Sequence, residues 1–125
     1  MKICISTLFF YKNELCIEFV GHLEKGLKYF TAKHPEDSLV LVVTNNAPMN
    51  KFGSEFSTAF ASLTSAVAGL SIVVNQNDWN KGFGLAHNEN FNSNPCDIFI
   101  GLNNDLFFSD DHWLEKLRRP ILLVF

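Results

Sequence analysis

Three clusters of asparagine follow three apolar runs: Asn45, Asn46 and Asn50 after the second, Asn75, Asn77 and Asn80 after the third, and Asn103 and Asn104 after the fourth. An amide side chain carries a donor and an acceptor together and tolerates left-handed backbone. It therefore suits a loop that reads the edge of a base, a ribose or a sugar. Any one of these residues is also a good turn former. Their convergence on the ends of three strands is what points to a ligand. Gly82-Phe83-Gly84 adds a glycine-bearing turn before a helical stretch, but it is not a dinucleotide fingerprint: Asp78, Trp79, Asn80 and Lys81 intervene after the apolar run, and His87 holds the place of the third glycine. His87 and His112 lie nearer this rim than His22, on a charged helix face, or His34, expected as a solvated loop residue. None has the spacing of a zinc site. Asp110 and Asp111 form an acidic pair at a helix start, where capping is the expected role.

The elements that must position these groups alternate. Apolar, β-branched-rich runs at residues 2–10, 39–44, 70–75 and 97–102 predict strands, and a short run at 121–125 predicts a fifth. The run at 97–102 reads as a strand buried on both faces. Leu15, Phe19, Leu23, Leu27 and Phe30 keep helical spacing, with Asn13 as a plausible cap. Phe56, Phe60, Leu63 and Val67 repeat the pattern between Ser54 and Gly69. A weaker helix begins near Gly84, and a last one runs from Ser109 or Asp110 to about Arg119, ended by Pro120. Such alternation predicts an α/β fold: three layers, with a mostly parallel sheet flanked by helices joined through right-handed crossovers.

At 125 residues, 47% of them apolar, the chain has room for one core, so residues 1–125 are expected to form a single domain. The net charge of −3 and scattered basic residues offer no cationic stripe for a phosphate backbone, so nucleic acid is not an expected partner. Cys4, Cys16 and Cys96 are odd in number and lack metal spacing, which suggests reduced thiols in an intracellular protein. The opening apolar run is followed by Lys12 and Glu14 rather than a small-residue cleavage site, and no apolar stretch approaches the ~18 residues of a membrane span. A cytoplasmic location is the expectation.

The order N-x-G-F-G-x-x-x-N over Asn80 to Asn88, followed by D-x-x-x-x-L-N-N-D over Asp97 to Asp105, resembles the inverting family-two glycosyltransferases of the GT-A fold, especially their rhamnosyltransferase-like branch. The resemblance implies that the chain binds a nucleotide-diphospho-sugar donor for inverting transfer, in the Rossmann-like nucleotide-diphospho-sugar transferase fold. Asn103-Asn104-Asp105 then occupies the place of the family's DxD motif, with Asp105 as ligand to Mg²⁺ or Mn²⁺ and Asn103 and Asn104 toward ribose or sugar. Asn80, Gly82, Gly84 and Asn88 would bracket a turn where backbone approaches the donor. Thr7, Phe10 or Tyr11, in TLFFYKNE, would contact the base, and Asn45 and Asn46 would hold the nucleoside. The segment VVTNNAPMN departs from the family, which has acids and a serine where this chain has Asn45, Asn50 and Pro48. The match spans the donor-binding half alone. The acceptor half and catalytic base would have to come from elsewhere, through a missing C-terminal half or a homo-oligomer, or else the chain is a non-catalytic nucleotide-sugar-binding or interaction module. A receiver-like domain is the weaker alternative, because the acids it needs after its first and third strands are missing.

Overall fold

The computed structural model describes residues 1–10 and 13–123, so Tyr11, one of the expected base contacts, lies outside the described residues. Four strands form one parallel sheet: β1 (Lys2–Phe9), β2 (Ser38–Asn45), β3 (Leu70–Gln76) and β4 (Ile98–Leu102). They alternate with α1 (Asn13–Lys33), α2 (Ser54–Ala66) and α3 (Gly82–Ser93), and α4 (Trp113–Leu123) follows. The strand order is β3-β2-β1-β4. β1 pairs with β2 from Lys2 opposite Ser38 to Phe9 opposite Asn45, and with β4 from Ile3 opposite Ile98 to Thr7 opposite Leu102.

That order explains the layers. The first two crossovers step the same way across the sheet, and the third turns back past β1, so a right-handed connection places α3 on the opposite face from α1 and α2. Ile3, Ile5 and Phe9 alternate with Cys4 and Ser6 along β1. The first set joins Phe19, Leu23, Leu27 and Phe30 of α1 and Phe56, Phe60 and Leu63 of α2 in the main core. Cys4, Val40 and Val42, with Cys96 and Phe99, make a smaller apolar patch on the other face. Burial, first of all, pushes the Cys4 thiol up to about 12 and that of Cys16 up to about 11, so neither is a thiolate at neutral pH.

Two expectations require correction. β4 is an edge of the sheet, and only Ile98 and Leu102 of it are buried. Its apolar run is therefore covered mainly on the α1 side. Residues 121–123, expected in a fifth strand, are the last turn of α4, which passes through Pro120. Leu114, Leu117 and Ile121 recur at helical spacing, and a short apolar run does not by itself distinguish strand from helix. No helix among the described residues is long and apolar enough to cross a membrane.

The amino end of the sheet is fastened by charge. Asp37, 5% exposed, accepts from the Met1 ammonium at 2.9 Å and from Arg118 Nε at 2.9 Å. Burial would raise its pKa, but hydrogen bonds from the terminal ammonium and from Arg118 outweigh burial and hold the carboxyl below the usual carboxylate range. His34, expected to be solvated, is instead mostly enclosed and hydrogen-bonded to the buried Glu115. Together these contacts tie α4 to the start of β2.

Candidate functional site

In an open parallel sheet, ligands sit outside the carboxyl ends of the strands, near the point where the strand order reverses. Here that point lies between β1 and β4. To the side of it, at the carboxyl ends of β2 and β3, the loops are held by amides bonded to one another. Asn45, buried at the end of β2, accepts from Ala47 N at 2.9 Å and donates to Asn50 O at 2.7 Å and to Gln76 Oε1 at 2.9 Å. Asn46 donates to Gly82 O at 3.2 Å and accepts from Asn77 Nδ2 at 2.7 Å. Gln76 also donates to Ala47 O at 3.3 Å. One lattice thus joins the loop after β2, the end of β3 and the first residue of α3.

What this lattice presents is an apolar slot. Phe10, Ala47, Pro48, Met49, Asn50, Trp79 and Asn80 line a cavity of about 440 Å³. Its size is that of a small-molecule site. Phe10 is 44% exposed, Trp79 55% and Met49 95%, a large commitment of apolar surface to solvent. Lys81 Nζ lies 6.0 Å from the Trp79 ring centre and 2.9 Å from Glu89. At the start of α3, Asn80 Oδ1 accepts from Gly82 N at 3.0 Å, and Gly82 has φ +73°, a conformation that disfavours any residue with a side chain. A Cβ added at Gly84 would meet nothing within 4 Å, so the first turn of α3 is bare on that side.

The expected site residues fall into separate places. Asn80 lines the slot, and Asn45 and Asn46 brace it from beneath, with their amide groups engaged by protein. Thr7 has no exposed surface, and its hydroxyl has no hydrogen-bond partner among the described residues. Asn88 is exposed on α3. Asn103 is exposed directly after β4, while Asn104 and Asp105 turn toward α1: Asn104 Nδ2 lies 3.5 Å from Cys16 Sγ, and both residues border a small cleft with Leu15, Glu18, Phe19 and His22. Asp105 is exposed. Among the described residues, His34, Glu36 and Asp37 form the only trio of potential metal ligands, with ligand atoms within 4.8 Å of one another. They lie at the amino end of the sheet, where Asp37 is matched by Arg118 and the terminal ammonium, and they read as part of the clamp.

Sequence reasoning missed two features. Trp79 is the larger aromatic wall of the slot, and its signal was a lone tryptophan in the polar stretch NQNDWNKG. The other is a polar cluster between α3 and the sheet: Asn90 Nδ2 donates to Ser6 Oγ and to Thr44 Oγ1, both at 2.9 Å, and Ser6 Oγ lies 2.8 Å from His87 Nδ1. All four residues are buried. His87 Nε2 has no partner among the described residues, and burial holds the imidazole below its ordinary pKa. Ser6 is 0% exposed, so this serine and histidine are not a nucleophilic pair open to substrate.

Searches against protein-family models, curated proteins and solved structures returned no match for this chain. The arrangement of the site is what carries a functional reading.

Proposed function

We propose that the chain binds a nucleotide-diphospho-sugar at the carboxyl end of its sheet, as a glycosyltransferase-like donor-binding domain of GT-A type. The apolar slot is the observation that carries this reading: Phe10 and Trp79 share its lining and suit a planar base, which stacks on aromatic rings, with Asn80 beside them to read its edge. The first turn of α3 beyond Gly82, whose own N–H is taken by Asn80, would offer its backbone N–H groups to a diphosphate. Asp105 is the carboxylate proposed to hold Mg²⁺ or Mn²⁺. It is exposed, and among the described residues it belongs to no close trio of potential ligands, so it fits a cation that takes most of its oxygens from the ligand's phosphates and from water. Bound there, the cation would supply charge neutralisation of the leaving diphosphate.

A second reading, a binding module without turnover, is favoured by the absence of any carboxylate from the residues that line the slot. Inverting transfer needs a general base in line with the anomeric carbon. Isothermal titration with a panel of nucleotide-diphospho-sugars, with Mn²⁺ or with EDTA, tests the proposal. Binding strengthened by Mn²⁺ in the natural chain, and held at the weak EDTA level with or without Mn²⁺ in Asp105→Ala, is the expected result. Equal affinity in EDTA, or an unchanged Mn²⁺ response in the variant, would remove Asp105 from the site.

A further inference from the structure

Beside the slot, and sharing none of its lining residues, a second groove of about 340 Å³ runs between β3 and α3. Its floor is Thr44 and Asn90, 2% and 4% exposed, and its walls include Asn75, Asn77, Glu89 and Ser93. Val74 is the one apolar residue along it. The floor is rigid by construction. Asn90 spends both amide donors on Ser6 and Thr44, and its Oδ1 takes the Thr44 hydroxyl at 3.2 Å and Asn75 Nδ2 at 3.4 Å.

The internal bonds decide which polar atoms are left over. Asn75 and Asn77 each give their amide nitrogen to a protein carbonyl oxygen, on Asn90 and Asn46, and their own side-chain oxygens accept from no protein donor among the described residues. Glu89 takes Lys81 on Oε2, which leaves Oε1 and removes most of its net charge from the groove. The Ser93 hydroxyl makes no bond within the described protein. The remaining groups are thus acceptors together with donors, the second amide N–H of Asn75 and of Asn77 and the Ser93 O–H, in a groove near electrical neutrality. A phosphate or carboxylate would bring full negative charge toward Glu89 Oε1, with no cationic side chain in the lining to offset it. A neutral ligand whose hydroxyls both donate and accept meets the inventory, and adjacent hydroxyls on a ring meet several of its groups at once.

We propose that this groove is a binding site for a neutral sugar ring, independent of the slot at the carboxyl end. Affinity should be weak, with Kd on the order of 1 mM, because the hydroxyls trade water for equivalent partners and only Val74 contributes apolar contact.

The test is titration of ¹⁵N-labelled full chain with D-glucose, L-rhamnose and N-acetyl-D-glucosamine, with inorganic phosphate as the contrasting probe, read at the Asn75 and Asn90 side-chain amides. Saturable shifts with at least one sugar and none with phosphate are expected. Ser93→Phe, at an exposed position on the last turn of α3, should fill the groove and weaken sugar binding at least about tenfold. Asn75→Leu should do the same by removing an acceptor, and it serves where the first variant loses its dispersed spectrum. Absence of saturable shifts with all three sugars, larger shifts with phosphate, or undiminished sugar binding in a folded variant would overturn the proposal. Trp79 lines the slot and not the groove, so Trp79→Ala, which should weaken nucleotide binding and leave the sugar shifts in place, keeps the two readings distinguishable.

Discussion

At the amino end of the sheet, Asp37, Arg118, His34, Glu115 and the Met1 ammonium satisfy one another, and little of them is left for a ligand. At the carboxyl end, the polar groups are uncharged amides that brace loops, while aromatic and aliphatic side chains stand in solvent. The first arrangement stabilises the fold, because paired buried charges are costly to disturb. The second keeps apolar surface exposed beside a stiff rim, which weakens the fold relative to burying it and is what a binding site requires. Stability and recognition are thus divided between opposite ends of the same four strands. Substitutions should separate them.

The largest effect is expected at Asp37. Asp37→Ala leaves Arg118 and the terminal ammonium without their buried acceptor and should cost about 3–5 kcal/mol, measured by urea unfolding, with ligand affinity of the folded fraction unchanged. The pH sign follows from its depressed pKa: this stabilisation is present above the ordinary carboxylate range and is lost as pH falls through the folded value. A variant that unfolds no more easily, or that loses affinity while stable, would break the division.

Gly26→Val comes next. A glycine within a helix such as α1 ordinarily costs about 1 kcal/mol relative to alanine, so propensity alone favours a residue with a side chain. Here an added Cβ would sit 2.1 Å from Trp113 Nε1, against the ring that stacks on Phe108. Overpacking wins, and a loss of about 2–3 kcal/mol in urea unfolding is expected. Retained stability would mean that Trp113 can leave α1 freely.

These two sites also show what the sequence made legible. All four strands were readable to within two residues at each end, because a β-branched run between turn signals has few other solutions. The crossover pattern carried the α/β class, which needs only alternation. The asparagines were legible as a rim, but their partners were not. That Asn45 and Asn46 bond to Gln76, Asn50, Asn77 and Gly82 depends on how β2 and β3 align, which no local pattern prints. The same limit hid Asp37 with Arg118, 81 residues apart in the chain, and let residues 121–123 pass for a strand.

Trp79→Ala should move binding and spare the fold. A side chain with 55% of its surface exposed contributes within about 0.5 kcal/mol to stability, whereas loss of one stacking face costs about 1–3 kcal/mol of base binding. Titration of a nucleotide-sugar against wild type and variant should show a drop of roughly 5- to 150-fold. Unaltered affinity would place the base elsewhere.

The smallest effect is a pH dependence located between the two ends, where α3 meets the sheet. His87 is enclosed by Ser6, Phe99 and Gly101 on the sheet side and by Phe83 on its own helix, all uncharged, so no neighbour stabilises an imidazolium. Its pKa is held below the ordinary 6.5 by burial. Below that pH the unfolded chain takes up a proton that the native chain refuses, so stability is complete above 6.5 and drains as pH falls toward the folded value. His87→Gln keeps a side-chain group for Ser6 and removes the titration. Thermal melts from about pH 7.5 to about pH 5 should therefore converge, with wild type losing more of its melting temperature than the variant. Because α3 carries Gly82, to which Asn46 is bonded, acid loosening of this helix should also slacken the slot, and nucleotide affinity should fall over the same range in wild type alone. Parallel melting curves for the two proteins would show that the imidazole finds a partner on protonation, and would confine pH sensitivity to the charged end.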